Sequence, residues 1–273
     1  MASILNNVAA LGASRQLSIT SKGLEQTIER LTTGRRINKA SDDAAGLAIS
    51  NRLGADIRVA NQGRRNANDG VSYLQVADGV LEEVTSLLTR AAELAQQAAT
   101  GTVSGNNRAS IDLEFQNIIK NIADIGLSTK FNATTIFDSG TSFTVAVASF
   151  SPIAVNVSSI ATSASSALGM TMGTTSLTTV ASALAASTLI SAAIDSVSTL
   201  RATIGATQQQ LNSISNALGI QVENFTAAYS QIRDANIADE VTNLTKFQIL
   251  NQSGTSALGQ ANQAQQQILR LLQ

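Results

Sequence analysis

Three stretches of the chain repeat apolar side chains at alternating steps of three and four residues. They cover residues 77–98, residues 111–125 and residues 197–232, and in the last of them Thr207 and Gln221 are polar interruptions. A period of 3.5 is the condition for coiled-coil packing, so the pattern predicts long helices that pack along apolar seams. The seam positions are Ala77, Val80, Val84, Leu87, Ala91, Leu94, Ala98, Ile111, Phe115, Ile118, Ile122, Ile125, Val197, Leu200, Ile204, Leu211, Ile214, Leu218, Phe225, Ala228 and Ile232.

Turn signals decide where these helices end. Residues 100–107 combine threonine, glycine, serine and asparagine, which predicts a break between the first two seams. The run Asn68, Asp69 and Gly70 is a second turn signal, but a helical pattern continues on both sides of it. We therefore predict that the helix runs through residues 68–70.

The two chain ends carry weaker apolar stripes. Near the N-terminus one series steps by four and three, and a second steps by seven; near the C-terminus Asn251, Gly254 and Gln265 interrupt the stripe. Short helices with such narrow stripes do not stay folded in water by themselves. We expect both ends to become ordered only on packing against partners. The positions concerned are Ile4, Val8, Leu11, Leu17, Leu24, Leu31, Leu244, Phe247, Leu258, Ala261, Ile268 and Leu272.

The middle of the chain has a different pattern. Apolar residues alternate with small or polar ones over residues 143–148 and again over residues 153–157, and residues 149–152 between them supply turn residues that include Pro152. This predicts a β-hairpin. Residues 158–188 are rich in serine, threonine and alanine, and we expect an exposed loop with a short helical piece. This loop is either unmodified or a carrier of O-linked glycan.

Composition excludes several kinds of chemistry. The 273 residues include no cysteine and no histidine, so the chain has no thiol nucleophile, no Ser-His-Asp triad and no Cys/His metal site. A net charge of −1 gives no electrostatic case for binding nucleic acid. The first 20 residues lack the basic segment of a secretory signal peptide, and no uninterrupted apolar run has the length of a membrane span. We therefore expect no catalysis, no cofactor, no metal, no nucleic-acid partner and no membrane partner.

Four strings of sequence resemble one known family. The strings LTTGRRINKASDDAAGLAISNRL (residues 31–53) and RNANDGVSYLQVADGVLEEV (residues 65–84) resemble the N-terminal signature of bacterial flagellin. The string IRDANIADEVTNLTKFQILNQSGTSALGQANQAQQQILRLL (residues 232–272) resembles its C-terminal region. The string LSTKFNATTIFDSG (residues 127–140) resembles the segment that leads into the variable region.

The resemblance implies a mainly α fold, in which long antiparallel coiled-coil helices come from both chain ends and a small β-hairpin and loop lie in the middle. It implies a minimal flagellin with inner-tube and rod-layer domains only. The implied domains are an N-terminal inner-tube helix and linker (1–45), N-terminal rod helices (46–138), a short variable segment (139–187), a C-terminal rod helix (188–232) and a C-terminal inner-tube helix (233–273).

The same resemblance implies a function. Flagellins polymerise into the filament of the bacterial flagellum, outside the cell, and serve swimming motility. They are exported unfolded through the flagellar secretion channel without cleavage of a signal. The implied partners are other copies of the chain, the export apparatus and an export chaperone, and the filament cap and hook-junction proteins. The polymerisation seams would then include Ile4, Val8, Leu11, Leu24, Leu31, Leu258, Ala261, Ile268 and Leu272.

Residues 89–95 resemble the stretch that the vertebrate flagellin-sensing Toll-like receptor recognises. In the functional interpretation, Arg90, Leu94 and Glu114 form that receptor epitope. In the structural alternative, Leu94 belongs to the apolar seam and the two charged side chains are solvated. Both interpretations can hold together, and the sequence leaves the choice open.

Two charged clusters have structural and functional interpretations. Asp42 and Asp43 could form a carboxylate pair for acid-base chemistry, but Ser41 in front of them is typical of an N-cap, and acids in a first turn complement the helix dipole. We favour the helix start. Arg35, Arg36 and Lys39 form a small basic run without aromatic neighbours, which favours ion pairs between subunits over nucleic-acid binding.

Alternative functions can be separated by simple observations. A low-copy hook-filament junction protein of the same superfamily would differ from a filament subunit in abundance. An enzyme displayed on a filament is excluded because the chain lacks the histidines of a His-Glu-x-x-His site. A free coiled-coil adhesin would remain a soluble monomer that never nucleates fibres.

Overall fold

The computed structural model describes residues 7–137, 142–148, 150–156 and 175–271. The helices in this part of the chain are α1 (Val8–Thr33), α2 (Ala44–Ala99), α3 (Gly105–Ser128), α4 (Val180–Arg233) and α5 (Ile237–Leu271). The strands are β1 (Lys130–Phe131), β2 (Thr134–Thr135), β3 (Ser142–Val145) and β4 (Ile153–Asn156). Over these residues the fold is mainly α with two short antiparallel strand pairs, β1 with β2 and β3 with β4. The mainly α fold and the hairpin of β3 and β4 agree with the prediction from the sequence.

The chain divides into two compact units. The terminal unit consists of residues 1–57 and 223–273, and the central unit consists of residues 58–222. Both α2 and α4 contribute residues to each unit. The domain boundaries inferred from the resemblance remain a prediction.

The core of the central unit contains the predicted seam positions Ala77, Val84, Ala91, Leu94 and Ala98 of α2, which are buried. The largest buried side chains of α2 include Leu74, Leu81 and Leu88, which the predicted seam left out; they are seven residues apart and therefore lie along one face. The seam positions Val80 and Leu87 lie at the margin of this face and are partly buried. Helices α3 and α4 complete the core with Phe115, Ile118, Ile122, Ile190, Val197, Ile204 and Leu211.

Polar contacts fix the directions of the helices in the central unit. Arg201 of α4 donates to Asp78 of α2 over 2.8 Å, and Ser215, further along α4, donates to Asn68, which is earlier on α2, over 3.2 Å. The two helices therefore run antiparallel. Between α2 and α3, Arg108 donates from Nε to the carbonyl of Ala98 over 2.8 Å, which satisfies an acceptor at the end of α2.

Helix α2 runs through the turn signal at residues 68–70, as predicted, and the β-hairpin explains the glycine there. Strand β3 pairs antiparallel with β4, with Val145 opposite Ile153. A Cβ atom built on Gly70 would lie 2.8 Å from Cγ2 of Val145, so only glycine lets the hairpin approach α2 this closely. Asn66 on the same helix donates to the carbonyl of Ala146 over 2.8 Å.

Two helix starts differ from the predictions. Helix α4 begins at Val180, eight residues before the predicted end of the loop at residue 188, and Thr179 accepts from the backbone N–H of Ser182 as its cap. Residues 158–174 of the predicted loop lie outside the described residues. Residues 175–179 do not form the exposed loop that was predicted, because Thr175 and Leu177 are buried. The N-cap of α2 is Asp43 rather than Ser41, because the Asp43 carboxylate accepts from the backbone N–H of Gly46 over 2.9 Å.

Helix α4 also has the length and composition to cross a membrane. Among the helices of the described residues, it alone contains an 18-residue window with a mean hydropathy of 1.6, of which 28% is buried. Ala183, Ala186 and Ile190, near the start of this helix, are buried in the core of the central unit. Packing in that core accounts for part of its apolar character.

Candidate functional site

The helices α1 and α5 pair along their length in the terminal unit. Asn7 donates to the carbonyl of Ala261 over 3.2 Å, and Asn251 donates to the hydroxyl of Ser21 over 3.1 Å. Nearer the end of α1, Arg30 meets Glu240 at 3.3 Å. Later residues of α1 thus contact earlier residues of α5, so the two chain ends form an antiparallel pair.

The interface between α1 and α5 mixes apolar and polar side chains. The predicted seam residues Leu24, Leu31, Leu258 and Ala261 are all half-buried. The side chains most deeply buried on α1 belong to Thr20 and Thr27, each 3% exposed, and their hydroxyls donate to carbonyls four residues earlier in the same helix. The interface therefore buries less apolar surface than the core of the central unit.

The outer face of α1 carries several exposed apolar side chains near its start. Val8, Leu11 and Ile19 are 73%, 63% and 57% exposed. At 100° per residue, Val8 lies on the opposite side of the helix from Leu17, which packs toward α5. The two N-terminal series seen in the sequence are thus two faces of one helix rather than one seam.

Of the remaining predicted seam residues, Ile4 and Leu272 lie outside the described residues. The backbone of Ile268 belongs to α5, but its side chain is not among the described ones. Helix α5 has apolar side chains exposed to solvent too: Ile237 is 50% exposed, Val241 47% and Ile249 59%.

A short backbone bridge holds the two chain ends together next to this pair. The N–H of Arg36 donates to the carbonyl of Arg233 over 2.7 Å, and the N–H of Ala235 donates to the carbonyl of Gly34 over 3.0 Å. Gly34 has a φ of +67°, a left-handed conformation that glycine adopts without strain, and it ends α1. The Arg36 side chain donates to the carbonyl of Ile232 over 2.8 Å.

The basic run of Arg35, Arg36 and Lys39 makes contacts within the chain, whereas the sequence suggested ion pairs between subunits. Lys39 pairs with Glu29 at 2.7 Å, and this hydrogen bond raises the pKa of the Lys39 ammonium. The carboxylate of Asp42 accepts from the backbone N–H groups of Lys39 and Asn38, which lowers the pKa of Asp42 below its usual value. Asp42 and Asp43 thus shape the start of α2 separately and do not form a carboxylate pair for acid-base chemistry.

Arg90 and Glu114 lie together on the surface of the central unit, but Leu94 is buried. Arg90 donates from Nε and Nη2 to one carboxylate oxygen of Glu114 over 3.0 and 2.8 Å, and this hydrogen bond raises the pKa of Arg90. Leu94 is 1% exposed and belongs to the core. A receptor could therefore contact only the two charged members of the proposed epitope on the surface of this fold.

Two features of the terminal unit went unnoticed in the sequence. Arg30 pairs with Glu240, whose side chain is only 9% exposed, and Gly23 lies against the ring of Phe247. Both join residues more than 200 positions apart, so no local pattern could reveal them. Within the described residues, no three His, Cys, Asp or Glu side chains come together as a group that could hold a metal ion.

Comparisons with known proteins give a consistent result. Residues 4–142 match the sequence profile of the bacterial flagellin N-terminal helical region, and residues 187–272 match that of the bacterial flagellin C-terminal helical region. The chain is 36% identical to flagellin FlaB1 of Treponema pallidum over 98% of this chain and 99% of that protein. It is 35% identical to a flagellar filament 30.7 kDa core protein of Treponema maltophilum, with the same coverage.

A solved structure agrees with these relatives. The crystal structure of Bacillus cereus flagellin superposes with a TM-score of 0.50 at 29% identity, and the match covers 60% of this chain and 94% of that one. The sequence matches therefore span nearly the whole chain, and the structural match spans more than half of it.

Proposed function

Because this chain belongs to the bacterial flagellin family and is a structural filament subunit, we propose that copies of it polymerise through the paired helices α1 and α5. Relatives named flagellar filament core proteins favour this role over that of a low-copy junction protein. The proposal is structural rather than catalytic, in keeping with those names.

The observation that carries this proposal is the apolar outer face of α1. Val8, Leu11 and Ile19 are exposed on the side of α1 that does not face α5. Fully burying one such side chain contributes about 1.5–3 kcal/mol. A neighbouring subunit that covers this face would thus bury several such side chains. The same stabilisation would be repeated at each subunit of the filament.

The polar interior of the α1 and α5 pair supports the same idea. Ordering the backbone of the two helices costs about 1–2 kcal/mol per residue. Burial of apolar surface between two helices with half-buried seams offsets only a small part of this cost. Contacts with neighbouring copies would supply the missing stabilisation. We propose that both ends order on assembly, which also suits a chain that passes unfolded through an export channel.

The remaining parts of the proposal follow from the family. The filament would lie outside the cell and serve swimming motility. Export would require the flagellar export apparatus and an export chaperone, and growth would require the hook-junction and cap proteins. Recognition by a vertebrate Toll-like receptor at this surface would use Arg90 and Glu114.

Seeded polymerisation of the purified chain tests the proposal. The full chain should form sedimentable filaments, and a chain without residues 260–273 should not, because it lacks the end of α5 that faces Asn7. Filament growth by the truncated chain at the full-length rate would contradict the mechanism.

A pair of matched substitutions tests the outer face alone. Leu11→Gln on α1 should abolish or strongly slow growth, whereas Leu127→Gln at the end of α3 should not, although the two leucines are 63% and 55% exposed. Equal effects of the two substitutions would show that the face of α1 has no special part in assembly.

A further inference from the structure

A glycine of α1 lies directly under an aromatic ring of α5. A Cβ atom built on Gly23 would lie 2.7 Å from both Cε1 and Cζ of Phe247 and 3.2 Å from Cε2. Real side chains do not approach a Cβ atom this closely. The half-buried ring of Phe247 therefore occupies the space that any other residue at position 23 would need for its side chain.

A second, looser contact has the reverse arrangement. A Cβ atom on Gly254 of α5 would lie 3.2 Å from Cδ1 of Leu17 on α1. Each helix thus presents one glycine and one large side chain to the other. Two further glycines of the same helices, Gly12 and Gly259, have no atom within 4 Å of their built Cβ positions, so packing within the chain does not require glycine there.

The residues on either side of Gly23 make this contact specific for one register. Thr20 and Thr27, about one helical turn before and after Gly23, are buried in the same interface. If α5 slid by one turn along α1, the Phe247 ring would meet a branched threonine side chain instead of bare backbone. The slide would also break the hydrogen bond from Asn251 to Ser21.

We propose that Gly23 and Phe247 form a socket that sets the register of α1 against α5, and that both act as positioning residues for filament assembly. This proposal rests on the proposed function, because the register matters only if the paired ends are the polymerising part. A glycine inside a helix weakens that helix. The close packing of Phe247 gives a reason for a glycine at this position.

The test compares four full-length variants by the critical monomer concentration of seeded polymerisation: Gly259→Ala, Gly23→Ala, Phe247→Ala, and Gly23→Ala combined with Phe247→Ala. Gly259→Ala should polymerise like the unmodified chain, because no atom lies within 4 Å of the added methyl group. Gly23→Ala should raise the critical concentration about tenfold, equivalent to about 1.4 kcal/mol per subunit. Thermal unfolding of the central unit should be the same in all four, because the substitutions lie outside it.

The double variant separates a socket from a general effect of alanine. With Phe247 already alanine, Gly23→Ala should cause no further rise in the critical concentration, since the methyl group then has room. If Gly23→Ala behaves like Gly259→Ala, or has the same effect with and without the ring, the register proposal is wrong. If the unmodified chain itself does not polymerise, the proposed function fails instead.

Discussion

The ion pair between Arg30 and Glu240 offers a sharp test of how the two chain ends are held together. The Glu240 side chain is 9% exposed, the Arg30 side chain is 32% exposed, and their charged atoms are 3.3 Å apart. The substitution Glu240→Gln keeps the size of the side chain and removes its charge. It therefore tests the electrostatic part of the contact without creating a cavity.

The expected magnitude follows from these exposures. A hydrogen bond to a charged group contributes about 1.5–3 kcal/mol, and the partial exposure of Arg30 places this pair near the lower end, at about 1–2 kcal/mol. That loss corresponds to a change of roughly 5–30-fold in an equilibrium constant. We expect the critical concentration for polymerisation of Glu240→Gln to rise by this factor, measured by sedimentation of seeded filaments.

Glu29 provides the matched control. It pairs with Lys39 over only 2.7 Å, but the two side chains are 36% and 64% exposed, and exposed ion pairs contribute little despite good geometry. Glu29→Gln should therefore leave the critical concentration nearly unchanged. A control effect as large as that of Glu240→Gln, or no effect of Glu240→Gln at all, would refute the argument that burial gives the Arg30 pair its strength.

Three further predictions concern the stability of the unpolymerised chain. Leu88→Ala should lower the free energy of unfolding of the central unit by about 3–4 kcal/mol and its melting temperature by about 8–12 °C. Leu113→Ala, at a side chain that is 68% exposed, should change the melting temperature little. Equal shifts of the two variants in calorimetry would contradict the core assignment. Asp43→Ala should destabilise the first turn of α2 by about 1 kcal/mol, seen as faster amide exchange at Gly46, and unchanged exchange would disprove the capping role. The lowered pKa of Asp42 means that its contribution to stability is present above its unfolded value of 3.8 and is lost as the pH falls through the lower folded value. The protection factors of amides in residues 34–43, corrected for the intrinsic exchange rate at each pH, should therefore fall at acid pH and do so less in Asp42→Asn.

The seams and turns of the central unit could be predicted from the sequence because they depend on local spacing. The period of 3.5 located the buried faces of α2, α3 and α4, and alternation located the hairpin of β3 and β4. The start of α4 was misplaced because its buried positions there are small alanines such as Ala183 and Ala186, whereas Leu184 between them is 55% exposed. Small buried residues beside an exposed leucine give no amphipathic contrast.

The arrangement of the chain ends was harder to predict. Two apolar series on α1 were visible in the sequence, but it did not show that they lie on opposite faces of the helix, as Val8 and Leu17 do. The partners of Phe247 and Glu240 are Gly23 and Arg30, and neither match can be found from periodicity because the pairing joins the two ends of the chain. The register between two distant segments depends on which residues meet in the folded chain. Local sequence patterns do not show this.

Hydrogen exchange of the dilute monomer and of the polymer tests the central claim most directly. If the ends order on assembly, amides of α1 and α5 will exchange rapidly in the monomer and become strongly protected in the polymer, whereas amides of α2 and α3 in the central unit will be protected in both. Equal protection of α1 and α5 in the dilute monomer and in the polymer would contradict the claim that assembly stabilises the chain ends.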